Sequence, residues 1–350
     1  MRIAIIIPAL KKQAPIAVAT NLALEFVKSG NSVTIFYFDK DVEFVLPDNI
    51  IVQRISFFEK IKWNDYDIVH SHLLRPDIYA FFHKPLKTSA KLITTVHNYI
   101  YPELENYYNT VVSLVVGTLW LLSWLRFDAI AVLSEHAAQY YKKRSFNKKI
   151  YRCYNGLDIS INYDLISNEA REACVQFNSK YFYTVGVYCN LVKRKRIDIL
   201  IQHLRRNDNG CLIVIGDGPE KKHLQTLSET LKVSDRVLFL GYQPDAHLFN
   251  RYFDLFAIPS EHEGFGLALI EAALHKQKIV CSNIPVFREI FDENSVTFFD
   301  FDDSSVDNAI KVALMKEEKG LLAFEIATNN FSNKSMSVSY MQLYERLRFI

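Results

Sequence analysis

The chain is poor in the residues that mark several common protein classes. Its 350 residues include five cysteines, Cys153, Cys174, Cys189, Cys211 and Cys281, with no C-x-x-C pair among them. That pattern argues against a disulfide framework, and the odd count without an export signal reads as reduced thiols in a cytoplasm. Glycine is scarce at 11 residues, and the first strand-to-helix turn holds no G-x-G-x-x-G. This argues against a nicotinamide or flavin enzyme of the usual dinucleotide-binding kind. There is no Walker loop, the histidines lack the spacing of a zinc site, and no D-x-D follows a strand. Asp302-Asp303 lies late, in an expected loop. Net charge is only +2, which speaks against a nucleic-acid partner. Long apolar runs are missing too. Val111 to Leu125 is uncharged and contains two tryptophans. As a helix it would reach about 22 Å, short of a hydrocarbon core of roughly 30 Å. It reads either as a core helix of the first domain or as an in-plane membrane contact. The basic residues Lys142, Lys143, Arg144, Lys148 and Lys149 would suit an anionic leaflet, although such a run is usually a solvated face. The opening M-R-I-A-I-I-I-P-A-L reads as a first β-strand rather than an export signal.

What the chain does have is apolar residues, 49% of the total, at a length that favours two domains. Strand-like and helix-like segments alternate from end to end, the signature of α/β domains with parallel sheets. The expected strands in the first half are Arg2 to Pro8, Ser32 to Phe38, Ile50 to Ile55, Asp67 to His70, Leu92 to His97 and Ala129 to Ser134. Pro15 to Lys28 is expected as a helix that stops at Gly30. The pattern breaks at Asn155-Gly156-Leu157-Asp158, and a second series begins at Tyr181 to Val187. It continues with Cys211 to Ile215, Val237 to Leu240, Leu255 to Ile258, Ile279 to Cys281 and Val296 to Phe298. The expected boundary falls between Asp158 and Asn178, giving segments 1–165, 166–332 and 333–350.

Ser260 to Glu271, S-E-H-E-G-F-G-L-A-L-I-E, is the most informative stretch. Leu255 to Pro259 reads as a buried strand and Leu267 to His275 as a helix with an apolar face. Gly264 and Gly266 therefore sit where a strand end passes into a helix start, the usual place for ligands in an open α/β sheet. Amide N–H groups and the helix dipole favour an anion there, and glycine lets a phosphate come close. Glu263 and Glu271 would repel that phosphate. They more plausibly accept hydrogen bonds from sugar hydroxyls further along the same ligand. A nucleotide-linked sugar is the chemistry suggested.

Glu263 and Glu271 are similar in spacing to the E-x7-E motif of retaining glycosyltransferases of family 4. The resemblance extends over nearly the whole chain and is strongest from 181 to 292. Leu212 to Pro219 (L-I-V-I-G-D-G-P), Val237 to Gly241 (V-L-F-L-G) and Ser282 to Glu289 (S-N-I-P-V-F-R-E) resemble the family's landmarks in the family's order. Asn333 to Leu347 resembles the family's terminal helix, which crosses back onto the first domain. The fold implied is GT-B: two Rossmann-like α/β domains facing a cleft, acceptor side first and nucleotide-sugar side second.

The resemblance also implies roles. Glu263 would hold the sugar hydroxyls and Glu271 the ribose hydroxyls. Amides around Gly264, Phe265, Gly266 and Leu267 would bind diphosphate together with Lys195. Gly241 and Tyr242 would lie at the base, and His97 would approach the sugar and phosphate from the acceptor side. Its pKa near neutrality would let it donate to the departing phosphate. His70 and His72 read as structural. Two positions depart from the family pattern. Asn190 stands where the family has an arginine, with Cys189 before it, and Lys193 or Arg194 could compensate. Gln13 and Ala14, on the acceptor side, replace a Gly-Gly pair.

The function implied is a retaining transferase without metal or other cofactor. It would move a sugar from a nucleoside diphosphate donor, UDP- favoured over GDP-, to a glycan or lipid-linked acceptor in surface polysaccharide or lipooligosaccharide synthesis. A catalytically silent GT-B partner subunit and a nucleotide-sugar epimerase remain as alternatives.

Overall fold

The structure is a computed structural model that describes residues 1–105 and 107–349. Asn106 and Ile350, which belong to the expected segments 1–165 and 333–350, lie outside the described residues. The chain divides into two units: Met1–Leu157 with the segment from Phe331 onward, and Asp158–Asn330.

The first unit begins with β1 (Arg2–Ile7), α1 (Ala14–Lys28), β2 (Ser32–Tyr37), β3 (Ile51–Arg54), β4 (Ile68–His72) and α2 (Leu74–His83). It goes on through β5 (Lys91–Val96), α3 (Ile100–Glu105), α4 (Thr110–Ser123), β6 (Ala129–Val132), α5 (Glu135–Arg144) and β7 (Ile150–Arg152). The strands form one parallel sheet in the order β3-β2-β1-β4-β5-β6-β7. Central strands are covered on both faces, which is why β1 is a run of isoleucines with Ile3 to Ile7 fully buried. Pro15 sits in the first turn of α1, and Gly30 follows its end at φ +80°.

The second unit contains α6 (Asn168–Asn178), β8 (Tyr183–Tyr188), α7 (Ile197–Arg206), β9 (Gly210–Ile215), α8 (Lys221–Thr230) and β10 (Val237–Gly241). After these come β11 (Leu255–Ile258), α9 (Leu267–Leu274), β12 (Ile279–Ser282), α10 (Pro285–Ile290), β13 (Thr297–Phe299), α11 (Asp303–Met315) and α12 (Glu318–Asn330). Its parallel sheet runs β10-β9-β8-β11-β12-β13.

The strand order reverses between β1 and β4 in one sheet and between β8 and β11 in the other. Loops leaving the carboxyl ends of such a pair diverge and leave a crevice, where open α/β sheets bind ligands. In the second unit those loops carry Cys189 to Arg196 and Pro259 to Gly266.

The last helix, α13 (Asn333–Arg348), belongs to the first unit and packs on α1, with Phe26 and Tyr344 ring centroids 5.4 Å apart. The chain leaves and re-enters this unit at neighbouring points: Leu157 N–H donates to the Phe331 carbonyl at 2.8 Å. A Cβ on Gly156 would lie 2.1 Å from the Ser332 carbonyl oxygen, so only glycine fits there.

α4 buries the stripe Ser113, Gly117 and Leu121, and Ser123 at its end. Its other side exposes Val111, Leu114, Val115 and Leu119. Both tryptophans turn inward and donate to Asp77 Oδ2, Trp120 Nε1 at 2.7 Å and Trp124 Nε1 at 2.9 Å. The segment is thus a core helix along one face only, and its tryptophans are not available to a membrane interface. No helix among the described residues is long and apolar enough to cross a membrane.

Candidate active site

In the second unit the loops after β8 and β11 are tied together by their backbones and by Glu263. Glu261 N–H donates to the Arg194 carbonyl at 2.8 Å, and the Arg196 guanidinium bridges Asp198 and Glu261 at 3.1 and 2.9 Å. Lys193–Lys195 forms a single 3-10 turn, and Arg196 follows it in the left-handed region at φ +49°. That turn brings two consecutive cations onto one carboxylate. Lys195 Nζ pairs with Glu263 Oε1, while Arg194 Nη1 lies 3.2 Å from Oε2 and 3.0 Å from the His262 carbonyl. Ser260 Oγ donates to Oε1 at 2.7 Å, and Ser282 Oγ in turn fixes the Ser260 carbonyl at 2.5 Å.

Glu263 is 7% exposed. Burial alone would raise its pKa, but the charges of Lys195 and Arg194, with hydrogen bonds from Lys195 and Ser260, hold it down to about 2. It is therefore a permanent carboxylate. A carboxylate has about four acceptor sites, and three are occupied here, leaving room for roughly one further donor.

Gly266 caps α9 at φ +100°, and a Cβ there would meet Phe287 Cε1 at 2.7 Å. Sign of φ and space both require glycine. α9 has no side-chain N-cap, so its leading amides face the crevice uncapped. Gly264 and Phe265 are buried, and Leu267 is half-buried at the first helical position. Glu271, one turn on, is also half-buried. Burial and the nearby Asp245 charge raise its pKa to about 7, although a hydrogen bond with Tyr188 acts downward. The two acids of one motif thus differ in protonation at neutral pH.

The remaining second-unit positions are less convergent. Asn190 is exposed, and its Oδ1 lies against Gly218 in the G-D-G-P turn. Among the described residues no hydrogen bond joins Asn190 to Glu263. Arg194, not Asn190, stands beside Lys195. Gly241 ends β10 at φ +68°, donating no side chain, and Tyr242 after it is 68% exposed.

In the first unit, Gln13 takes an extended conformation as the N-cap of α1, and Ala14 is the helix's first residue; both are exposed. His97 directly follows β5 and is 8% exposed. Its Nε2 lies 2.9 Å from Nδ1 of His72, at the end of β4. Burial pushes the His97 pKa down to about 3, so the side chain is neutral rather than poised near neutrality. This corrects the expectation of a histidine that titrates near pH 7; a neutral imidazole still donates from one nitrogen. Asp77 is a second buried carboxylate, accepting from Ser71 Oγ at 2.6 Å and Thr94 Oγ1 at 3.0 Å besides the two indoles. Sequence reasoning missed Asp77 and the contact of Ser260 with Glu263; it offered Arg194 only as one of two residues that could compensate for Asn190, and it read His72 as structural. The only signal for the last two was position: Arg194 beside Lys195, and His72 at a strand end. Among the described residues no group of three or more His, Cys, Asp or Glu could hold a metal.

Comparison with known proteins shows the family and the fold. The family described as Glycosyltransferase Family 4 matches residues 17–161, and Glycosyl transferases group 1 matches residues 175–321. The O-antigen biosynthesis glycosyltransferase WclY of Escherichia coli is 32% identical over 353 residues, covering 99% of each chain. The chain belongs to this glycosyltransferase family. A lipopolysaccharide core biosynthesis glycosyltransferase, LpsD of Rhizobium meliloti, is 28% identical over 180 residues, covering 50% of this chain and 52% of its own. HepE of Anabaena in complex with UDP-glucose superposes with a TM-score of 0.76 at 17% identity, covering 100% of both chains. Sucrose-phosphate synthase from Thermosynechococcus elongatus gives 0.77 at 16% identity, over 99% of this glycosyltransferase and 98% of that chain. At such identities the likeness shows the fold, which is GT-B.

Proposed function

We propose that this glycosyltransferase moves a sugar, with retention, from a nucleoside diphosphate donor to a glycan or lipid-linked saccharide in O-antigen or lipopolysaccharide synthesis. One observation carries the reading. Two cations and a serine converge on Glu263 at the strand-order reversal, beside an uncapped helix start with Glu271 one turn further on. A diphosphate carries more charge than a lone carboxylate, so it can draw Lys195 and Arg194 toward itself while Glu263 keeps them pre-aligned. As the glycosidic bond opens, negative charge grows on the departing phosphate oxygen. Fixed cations and the α9 amides stabilise that charge without reorganising. The open acceptor site on Glu263 takes a sugar hydroxyl, and Glu271 takes the ribose hydroxyls. Gly241 and Tyr242 lie on the base side, and Gln13 and Ala14 on the acceptor side. To His97 the proposal gives a hydrogen bond to the departing phosphate. The acceptor enters on the leaving-group face and loses its proton to that phosphate. Because protein cations meet the diphosphate, the reaction needs no metal.

The name of the Escherichia coli relative supports the pathway, and the UDP-glucose bound to HepE supports a UDP donor over GDP. A donor screen with UDP- and GDP-sugars, run with and without EDTA, tests the reading. Transfer or slow donor hydrolysis unaffected by EDTA is expected; isomerised donor would mean an epimerase. The exposed Asn190 in place of a cation favours one rival, a silent partner subunit. It wins if no donor binds by calorimetry and Glu263→Ala changes nothing in cells.

The proposal places the enzyme in the cytoplasm, at the inner membrane face. The exposed side of α4 supports this, together with Asn147, whose side chain donates to the Trp124 and Phe127 carbonyls at 2.8 Å. That contact ties the loop between Arg144 and Lys148, inside the basic run, to the turn that follows α4. Flotation with anionic liposomes, lost in Leu114→Glu/Leu119→Glu, is the expected result. No flotation of the wild type would remove the membrane contact.

A further inference from the structure

The pairing of His97 with His72 determines more than the orientation of a ring. Only one of the two facing nitrogens, His72 Nδ1 and His97 Nε2, can carry the proton of a 2.9 Å hydrogen bond. His72 is fully buried, and its other nitrogen, Nε2, is buried without a hydrogen-bond partner. If His97 donated, His72 would accept at Nδ1 and carry its own proton on Nε2, a buried N–H facing nothing that accepts. If His72 donates, its Nε2 is a bare lone pair instead. Orphaned buried N–H donors are rare in folded proteins, and under-satisfied acceptors less so. The second arrangement is therefore favoured, and a neutral His97 that accepts at Nε2 must carry its proton on Nδ1.

We propose that His72 is a positioning residue that locks His97 in its Nδ1–H form, so that His97 presents a hydrogen-bond donor rather than a base at Nδ1. His72 cannot swing away. Its ring packs 4.3 Å from that of His70, the next residue on the same face of β4. His70 is itself fixed at both nitrogens, by the Tyr344 hydroxyl at 2.6 Å and Thr95 Oγ1 at 2.8 Å. Tyr340 completes the support through Thr95 Oγ1 at 2.8 Å, so two tyrosines of α13 brace the ends of the central strands β4 and β5. Burial keeps His97 and His72 neutral, in accord with a one-proton bond between them. An Nδ1–H donor suits a phosphate oxygen and cannot remove a proton from an acceptor hydroxyl. This use of the donor rests on the phosphate-side role proposed for His97 above, but the tautomer itself does not.

Long-range proton–nitrogen correlation spectra of the 15N-histidine-labelled full-length enzyme read the tautomer without substrate. His97 is expected with a protonated Nδ1 and a bare Nε2. The reverse pattern in the wild type overturns the proposal, whether or not any variant folds. His72→Phe should let the His97 proton move to Nε2 and lower kcat about tenfold with donor KM held, the size of one misdirected hydrogen bond. His72→Asn, whose amide nitrogen falls near the imidazole Nδ1, should restore both. An unchanged His97 tautomer in a folded His72→Phe also overturns it. Full activity in His97→Phe, with the tautomer as expected in the wild type, removes the phosphate role of His97 and leaves the positioning intact.

Discussion

Asp77 and Glu263 are both buried carboxylates with several donors each, yet their proton affinities move in opposite directions. Asp77 accepts from Ser71, Thr94, Trp120 and Trp124, and burial still lifts its pKa to about 6. Glu263 accepts from Lys195, Arg194 and Ser260, and its pKa falls to about 2 although burial acts upward. Four neutral hydrogen bonds do not offset desolvation of a charge; two cations do. The comparison separates a structural hub from a binding site. Asp77 staples α4 and the turn after it to α2, β4 and β5, with three of its four donors sharing Oδ2. Glu263 stores two cations in an orientation from which an anionic ligand can draw them.

The largest test of that difference is Glu263→Gln. It keeps the shape, removes the charge and leaves Lys195 and Arg194 half-buried without the carboxylate they share. The expected result is a fall in kcat/KM of about 10²–10³, the scale for losing a preorganised electrostatic group. Breaking a buried pair should also lower unfolding stability by about 3 kcal/mol. The wild-type contribution is present above pH 4.5 and disappears as pH falls toward 2, because the folded-state pKa lies below the ordinary value. Steady-state kinetics beside chemical denaturation would measure both.

Asp77→Ala should show the opposite profile. Four donors lose their acceptor, including two indole N–H groups that cannot reach water without moving α4. A loss of about 3 kcal/mol in stability is expected, with kcat per folded molecule unchanged. The wild-type dependence on pH also runs the other way. Asp77 is raised from 3.8 to about 6, so its contribution is complete below pH 3.8 and wanes as pH rises through 6. Should Asp77→Ala cost as much kcat as Glu263→Gln, the division between hub and site fails.

Most of the fold was legible because parallel strands covered on both faces read as apolar runs: each expected strand has a counterpart in the sheets. β7 escaped notice since Ile150–Arg152 is three residues long, follows two lysines and buries only Ile150. Asp67 to His70 was expected to end two residues before β4 does, at His72, because serine and a second histidine do not look like strand interior. Spacing alone pointed to the glycine turn and the two glutamates. It could not reveal the partner of Arg194, because Glu263 lies 69 residues away and the short 3-10 turn at Lys193–Lys195 that aims the side chain has no periodic signature. Asp77 was invisible for another reason. Its donors lie 6, 17, 43 and 47 residues away, and a single aspartate early in a helix reads as an ordinary first-turn acid. Contacts across a sheet, such as His72 with His97, are likewise set by register rather than by local pattern.

Glu271 supplies the smallest and most discriminating test, since it stands between the other two acids. It is half-buried, yet as with Asp77 no cation among the described residues pairs with it, and its pKa sits near 7. The raised value means that ionising Glu271 opposes folding: its contribution is complete below pH 4.5 and is lost as pH climbs through 7. Allowing for partial exposure, Glu271→Gln should gain about 1–2 kcal/mol over wild type at pH 8 and nothing at pH 4. Ribose hydroxyls donating to Glu271 would favour the ionised form, so binding a nucleotide at pH 7 should release a fraction of a proton. Calorimetry of UDP in buffers of different ionisation enthalpy would detect that release, and Glu271→Gln should abolish it along with part of the affinity. If UDP binds with no proton release in the wild type, Glu271 belongs with Asp77 as a structural acid, and the ribose role proposed for it falls.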